Sequence, residues 1–148
     1  YLFHRKKSSL VVFFLFIVGH VPELFLKLFL HQPGPPFQFH RYNNTIFLNK
    51  DYVVPGSSYP SGHSFRALFF SIVFIYLLHK KKGTTVWTLL ISCAVVALAI
   101  LIMFAKVVLG EHWTTDIVGG ILLAWFLGFL SLLSGICYPW LFFVTFWR

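Results

Sequence analysis

The sequence predicts an all-α integral membrane bundle with four transmembrane helices, forming a single domain over residues 1–148. Three observations predict it. Only 11% of the residues are charged against 58% hydrophobic, with a mean hydropathy of +0.80, whereas a soluble domain carries about 25% charged residues. Apolar runs recur four times, at lengths that cross a hydrocarbon core about 30 Å thick at a rise of about 1.5 Å per residue. The basic residues collect in short clusters abutting those runs, "HRKK" (His4 to Lys7) and "HKKK" (His79 to Lys82). A nucleic-acid partner needs instead a continuous basic face. None is expected, despite the net charge of +8.

The first span runs from about Ser9 to Leu30. It carries His20, Glu23 and Lys27, spaced three and four apart and so on one helical face near its end. Two readings of that face are open: a Glu23–Lys27 ion pair reaching for the interface, or a Lys27 that points into an aqueous pocket and holds an anion. Ionisable residues are costly inside membrane segments, which favours function there. A loop from about 31 to 61 follows, rich in Pro, Gly, Asn and Ser, and well beyond the ~12–15 residues at which loops are usually functional or disordered. Its opening, "QPGPPFQFH", is stiffened by its prolines, and Asn43-Asn44-Thr45 matches the glycosylation pattern.

The second span covers about Gly62 to Leu78 and the third about Thr84 to Leu109. The fourth starts near Trp113 and reaches about Cys137, where Pro139 is expected to end or kink it and leave "WLFFVTFWR" along an interface. Cys93 and Cys137 lie inside apolar runs and read as packing residues rather than a disulfide or metal site. The positive-inside rule places "HRKK", "HKKK" and Arg148 on the cytoplasmic side. Lys27, the long loop and the turn "GEH" at 110–112 then share the extracytoplasmic face, with the plasma membrane as the expected location.

Two stretches on that face carry chemistry. In "YPSGHS" (Tyr59 to Ser64), Ser61 can cap the second helix, and Gly62 lets the backbone approach a ligand. The unpaired N–H groups and the helix dipole there form an anion site. His63 is then held beside the anion, able to pass a proton to a leaving group, and Arg66 shares its helical face. In "AKVVLGEHWTTD" (Ala105 to Asp116), His112 and Asp116 stand four apart. A carboxylate on a histidine fixes its tautomer and supports a developing positive charge, as a nucleophilic histidine requires. Thr114 and Thr115 offer capping hydroxyls. Lys106 precedes His112 by six residues, with Glu111 or Asp116 as an alternative ionic partner. No compact ligand spacing such as HExxH occurs, so neither a metal nor another cofactor is expected.

Together these residues resemble the signature of the phosphatidic-acid-phosphatase type 2 superfamily, K-x6-RP, PSGH and SR-x5-H-x3-D. "KLFLHQPGP" matches the first part at Lys27 and Pro35, "PSGH" the second at Pro60 to His63, and "AKVVLGEHWTTD" the third at His112 and Asp116. The resemblance implies that His112 attacks phosphorus, that Asp116 orients it, and that His63 protonates the leaving oxygen. It implies Lys27, Ser61 and Gly62 as phosphate binders, and no metal. It implies a six-helix fold whose signature begins on the third helix; either two upstream helices lie outside this chain or it is a reduced member.

Two departures stand out. Gly34 replaces the arginine of the first motif, and Ala105-Lys106 replaces Ser-Arg in the third. A guanidinium grips phosphate oxygens through a rigid fork that an ammonium cannot reproduce, and losing one preorganised donor costs on the order of 10²–10³ in rate. Arg66 or Arg41 is available to fill the gap. The expected activity is metal-independent hydrolysis of a lipid phosphate or a prenyl diphosphate (undecaprenyl-diphosphate-like) through a phosphohistidine, among membrane lipids. The alternative is a weak or inactive lipid-phosphate binding protein of the same fold. A channel is disfavoured, because charge gathered at one end offers no polar path across.

Overall fold

The computed structural model describes residues 2–39 and 57–146, and the side chains of 12–36, 38–39 and 57–133. Arg41, the Asn43-Asn44-Thr45 triplet, most of the long loop, the Cys137 side chain and Arg148 lie outside the described residues. The described residues form α1 (Leu2–Leu30), a 3₁₀ turn (Phe37–Phe39), α2 (Gly62–Lys82), α3 (Val86–Val108) and α4 (Thr114–Phe146), with no strand among them. All four helices are long and apolar enough to cross a membrane, the architecture of an integral membrane protein.

The ends of the helices differ from the expected ones for local reasons. α1 begins at Leu2 rather than Ser9, taking in the basic cluster. Lys and Arg favour helix, so the helix need not stop where the hydrocarbon does. α2 continues to Lys82 until Gly83, at φ +73°, turns the chain and donates its N–H to the His79 carbonyl. α3 starts at Val86 because Thr85 and Thr88 form a reciprocal capping box.

The larger correction concerns α4, which runs through Pro139 to Phe146 instead of ending near Cys137. The aromatic tail is thus helical as far as Phe146. A proline forfeits one N–H and frees one carbonyl. Its ring also fixes φ near the helical value, so the helix can continue past it. Pro22 inside α1 is tolerated in the same way.

α2 is the centre of the bundle, packing on α3 and α4, while α1 packs on α4. Phe65 and Phe69 meet Ala124 and Leu127, with Val12 and Phe16 of α1 against them. Ala99, Met103 and Ile117 form a second cluster. Large apolar side chains such as Leu89, Leu98, Leu101 and Phe104 on α3 stay exposed, as a lipid-facing surface does.

α2 and α4 approach closely at Gly120. A Cβ there would stand 2.5 Å from the Ser61 carbonyl oxygen and 2.9 Å from the Ser64 Cβ. A backbone carbonyl cannot swing aside, so Gly120→Ala must push the helices apart at the base of the site. It is expected to lower stability by about 1–3 kcal/mol, read as a lower melting temperature in detergent. An unchanged melting temperature would show that the helices are not so tightly apposed.

The C-terminal ends of α1 and α3 and the N-terminal ends of α2 and α4 lie together. His31, at φ +43°, closes α1. The chain beyond it is tied down by three bonds: Gln32 Nε2 donates to Thr115 Oγ1 at 3.3 Å, Trp113 Nε1 donates to the Pro33 carbonyl at 3.0 Å, and Ser58 N donates to the Gln32 carbonyl at 2.8 Å. Lys27, Ser61, His63, Arg66, Lys106, His112 and Asp116 all fall toward this one end.

Candidate active site

Two helix starts build the site. At α2, Ser61 is fully buried. Its Oγ accepts from Ser64 N at 3.4 Å and its own N–H donates to the Asp116 carbonyl at 2.9 Å. Ser61 is thus spent on capping the helix and joining it to α4. The N–H groups of Gly62 and His63, in the first turn, are those a helix leaves without an intrahelical acceptor. At α4 the cap comes not from Thr114 or Thr115 but from Asp116: its Oδ2 accepts the Trp113 N–H at 2.9 Å, the backward reach of an acid in the third helical position. Thr115 accepts from Gln32 instead.

That cap aims Asp116 at His112. The carboxylate is completely buried, and its Oδ2 lies 3.5 Å from His112 Nδ1. This is ion-pair rather than hydrogen-bond distance, and His112 Nδ1 and Asp116 Oδ1 are both buried without a hydrogen-bond partner. Catalytic hydrogen bonds are often this loose without substrate. Burial pushes the His112 pKa down from its ordinary value, while Asp116 and Glu111 push it back up, the net direction being down. The ring of His63, exposed at the start of α2, lies across from His112 with centroids 6.2 Å apart and planes inclined at 59°.

Cations surround the two histidines. His63 lies within electrostatic reach of Lys106, Arg66 and Glu111, and His112 within reach of Glu111 and Lys27. Lys106, at the end of α3, pairs with Glu111 across the turn that Gly110 makes at φ +75°. Lys27 Nζ donates to Glu23 Oε1 at 2.8 Å. The local α1 pair expected from the sequence therefore exists, but it is not only local, because Arg66 NH1 on α2 lies 3.6 Å from Glu23 Oε2. Arg66 NH1 also donates to His20 Nε2 at 3.1 Å. Because a guanidinium only donates, His20 must accept at Nε2, leaving Nδ1–H for the Phe16 carbonyl at 2.8 Å.

The structure therefore brings Lys27, Ser61, Gly62, His63, Arg66, Lys106, His112 and Asp116 to one end of the bundle. Gly34 and Pro35 follow on the strap beyond α1. The space beside Gly62, expected to admit a ligand to the backbone, is taken by protein: a Cβ there would run into the Glu23 carboxylate and stand 2.5 Å from Arg66 NH2. Sequence reasoning missed that Glu23 reaches across to α2. The available signal was an acid one turn before Lys27 in an apolar span; which residue it would meet on another helix was not legible.

The fold and site define a class: a helical membrane protein whose two histidines, one backed by a buried aspartate, stand among basic side chains at one end of the bundle. The chain belongs to the PAP2 superfamily, whose family model matches residues 8–143. Members of that superfamily are phosphatases acting on phosphate esters, so the chain is of phosphatase type. No curated protein and no solved structure matches it.

Proposed function

We propose that the protein is a metal-independent membrane phosphatase acting on a lipid phosphate or prenyl diphosphate, through a phosphohistidine on His112. The observation that carries this reading is the placing of His112 between the buried Asp116 carboxylate and the His63 ring, 6.2 Å away by ring centroid. With Nδ1 turned to Asp116, Nε2 is the nitrogen left to attack phosphorus. The P–O bond to the leaving group breaks as the N–P bond forms, and His63 gives its proton to the departing oxygen. Water then attacks the phosphohistidine, His63 takes its proton, and inorganic phosphate leaves with His112 neutral again. Lys27, Arg66, Lys106 and the first N–H groups of α2 hold the phosphoryl oxygens, with Ser61 and Gly62 shaping that helix start.

A lipid substrate is favoured because the site opens at the end of an apolar bundle whose outer side chains are already lipid-facing. An extracytoplasmic site follows from the basic clusters at the opposite ends of the helices. Among the described residues no three His, Cys, Asp or Glu side chains are grouped to hold a metal.

Purified protein given phosphatidate or a prenyl diphosphate in detergent is expected to release inorganic phosphate, undiminished by a chelator. Lipid binding without release at any pH between about 5 and 8 would leave the non-catalytic binding protein as the better reading.

A further inference from the structure

Glu23, like Glu111, is an acid of this site that the histidine chemistry does not use. It is 4% exposed, inside an apolar span where an unpaired charge is expensive. Its oxygens face Lys27 on its own helix at 2.8 Å and Arg66 on α2 at 3.6 Å, and the room for its carboxylate exists because residue 62 lacks a Cβ. We infer that Glu23 is a positioning residue that holds Lys27 and Arg66, from two helices, as one two-cation cradle beside the start of α2. The cradle supplies the guanidinium that Gly34 leaves out of the first motif. The inference rests on the proposed reading that these cations hold phosphate.

A carboxylate among phosphate-binding cations has another conceivable role, as a plug that phosphate must displace. The order of burial decides against it. The Glu23 side chain is 5% exposed, while Lys27 is 29% and Arg66 39% exposed. The carboxylate thus lies behind the cations, and an anion entering from the open side meets the ammonium and guanidinium first. Arg66 is held from a second side by His20, whose own Nδ1–H is fixed on the Phe16 carbonyl. Arg66 is thus hydrogen-bonded by His20 and held at ion-pair distance by Glu23, whose Oε2 has no hydrogen bond, which leaves other N–H donors of the fork for a ligand. Lys106 lacks this arrangement, since it and Glu111 are about equally exposed, at 20% and 21%.

The two roles predict opposite signs. Glu23→Gln adds one positive charge, which on charge alone tightens phosphate binding; loss of the cradle weakens it. In the full-length chain in detergent, Glu23→Gln is expected to weaken inhibition by inorganic phosphate about tenfold, the loss of roughly one charge-assisted hydrogen bond. KM is expected to rise by a similar factor, with kcat falling less. Arg66→Gln should do the same, and the double variant should be little worse than either single one, because both remove the same cradle. Glu23→Asp, which keeps the charge but withdraws it by one methylene, should lie between and serves if the glutamine variant does not fold. The phosphate-dependent rise in melting temperature reads binding without turnover. Equal or tighter phosphate binding in Glu23→Gln, or additive losses in the double variant, overturns the inference while the hydrolase reading stands. Phosphate stabilisation that Glu23→Gln loses, in a wild-type chain without turnover, overturns the hydrolase reading and keeps the cradle. A wild-type chain that inorganic phosphate neither inhibits nor stabilises overturns both.

Discussion

Replacing His112 by alanine is expected to abolish phosphate release, lowering kcat by a factor on the order of 10³ or more, as removal of a nucleophile does in other covalent mechanisms. The fold should survive, because the ring bridges no helices. Its Nδ1 is 3.5 Å from Asp116 and without a hydrogen bond, and the Asp116 carboxylate keeps its cap on Trp113. Substrate labelled on phosphorus should leave an acid-labile label on the wild-type chain and none on His112→Ala. A labelled His112→Ala protein would move the nucleophile elsewhere, and turnover near wild type would remove the covalent mechanism.

The same chemistry separates the two histidines. His63 is assigned the proton for the leaving oxygen, a task that vanishes when the leaving group departs readily as an anion. A His63→Ala chain given such an activated ester should therefore still form the label on His112, while its turnover of an alkyl phosphate collapses. Exposure fits this division: His63 opens to the outside at the start of α2, whereas His112 is packed against a carboxylate with no exposed surface.

The four spans were legible because hydropathy over some twenty residues is a sum, and one misread residue does not alter it. The gathering of Lys27, His63 and His112 at one end followed from counting helices, since alternate helix ends must share a face. The end of α4 was misread at Pro139 because a proline forfeits one helical hydrogen bond yet holds a φ compatible with helix, so it need not end one. The site was legible where partners lie within one helical turn, as with Glu23 and Lys27 or His112 and Asp116. It was illegible where partners lie on different helices. That Arg66 would meet His20 and Glu23, or that Ser61 N–H would bind the Asp116 carbonyl, depends on how α1, α2 and α4 are rotated against one another. Small residues such as Gly19 and Gly120 set that rotation by permitting contact with Phe65 and with the Ser61 carbonyl, and a sequence does not state which surface a glycine faces.

Asp116→Asn should cost on the order of 10²–10⁴ in kcat, the range seen when a histidine loses the carboxylate that selects its tautomer. Its pH dependence carries the sharper information. His112 attacks in its neutral form, so the acid limb of kcat/KM follows its pKa in the free protein. Burial is the largest influence and lowers that pKa from the ordinary value of about 6.5, with Asp116 the main opposing influence. The wild-type limb from this residue therefore lies below about pH 6.5. Removing the carboxylate's charge removes the upward push, so in the variant the limb moves to still lower pH. Asp116→Asn would thus keep His112 neutral over a wider range of pH and yet turn over more slowly, because an amide can present its N–H to the ring and stabilise the wrong tautomer. Because Oδ2 both faces the ring and accepts the Trp113 N–H, an amide nitrogen turned to His112 gives up that cap while the backbone carbonyl still accepts from Ser61, so the melting temperature of the variant is measured beside its rate. A limb that moved to higher pH, or a rate within a few-fold of wild type, would show that Asp116 supports the start of α4 and not the histidine.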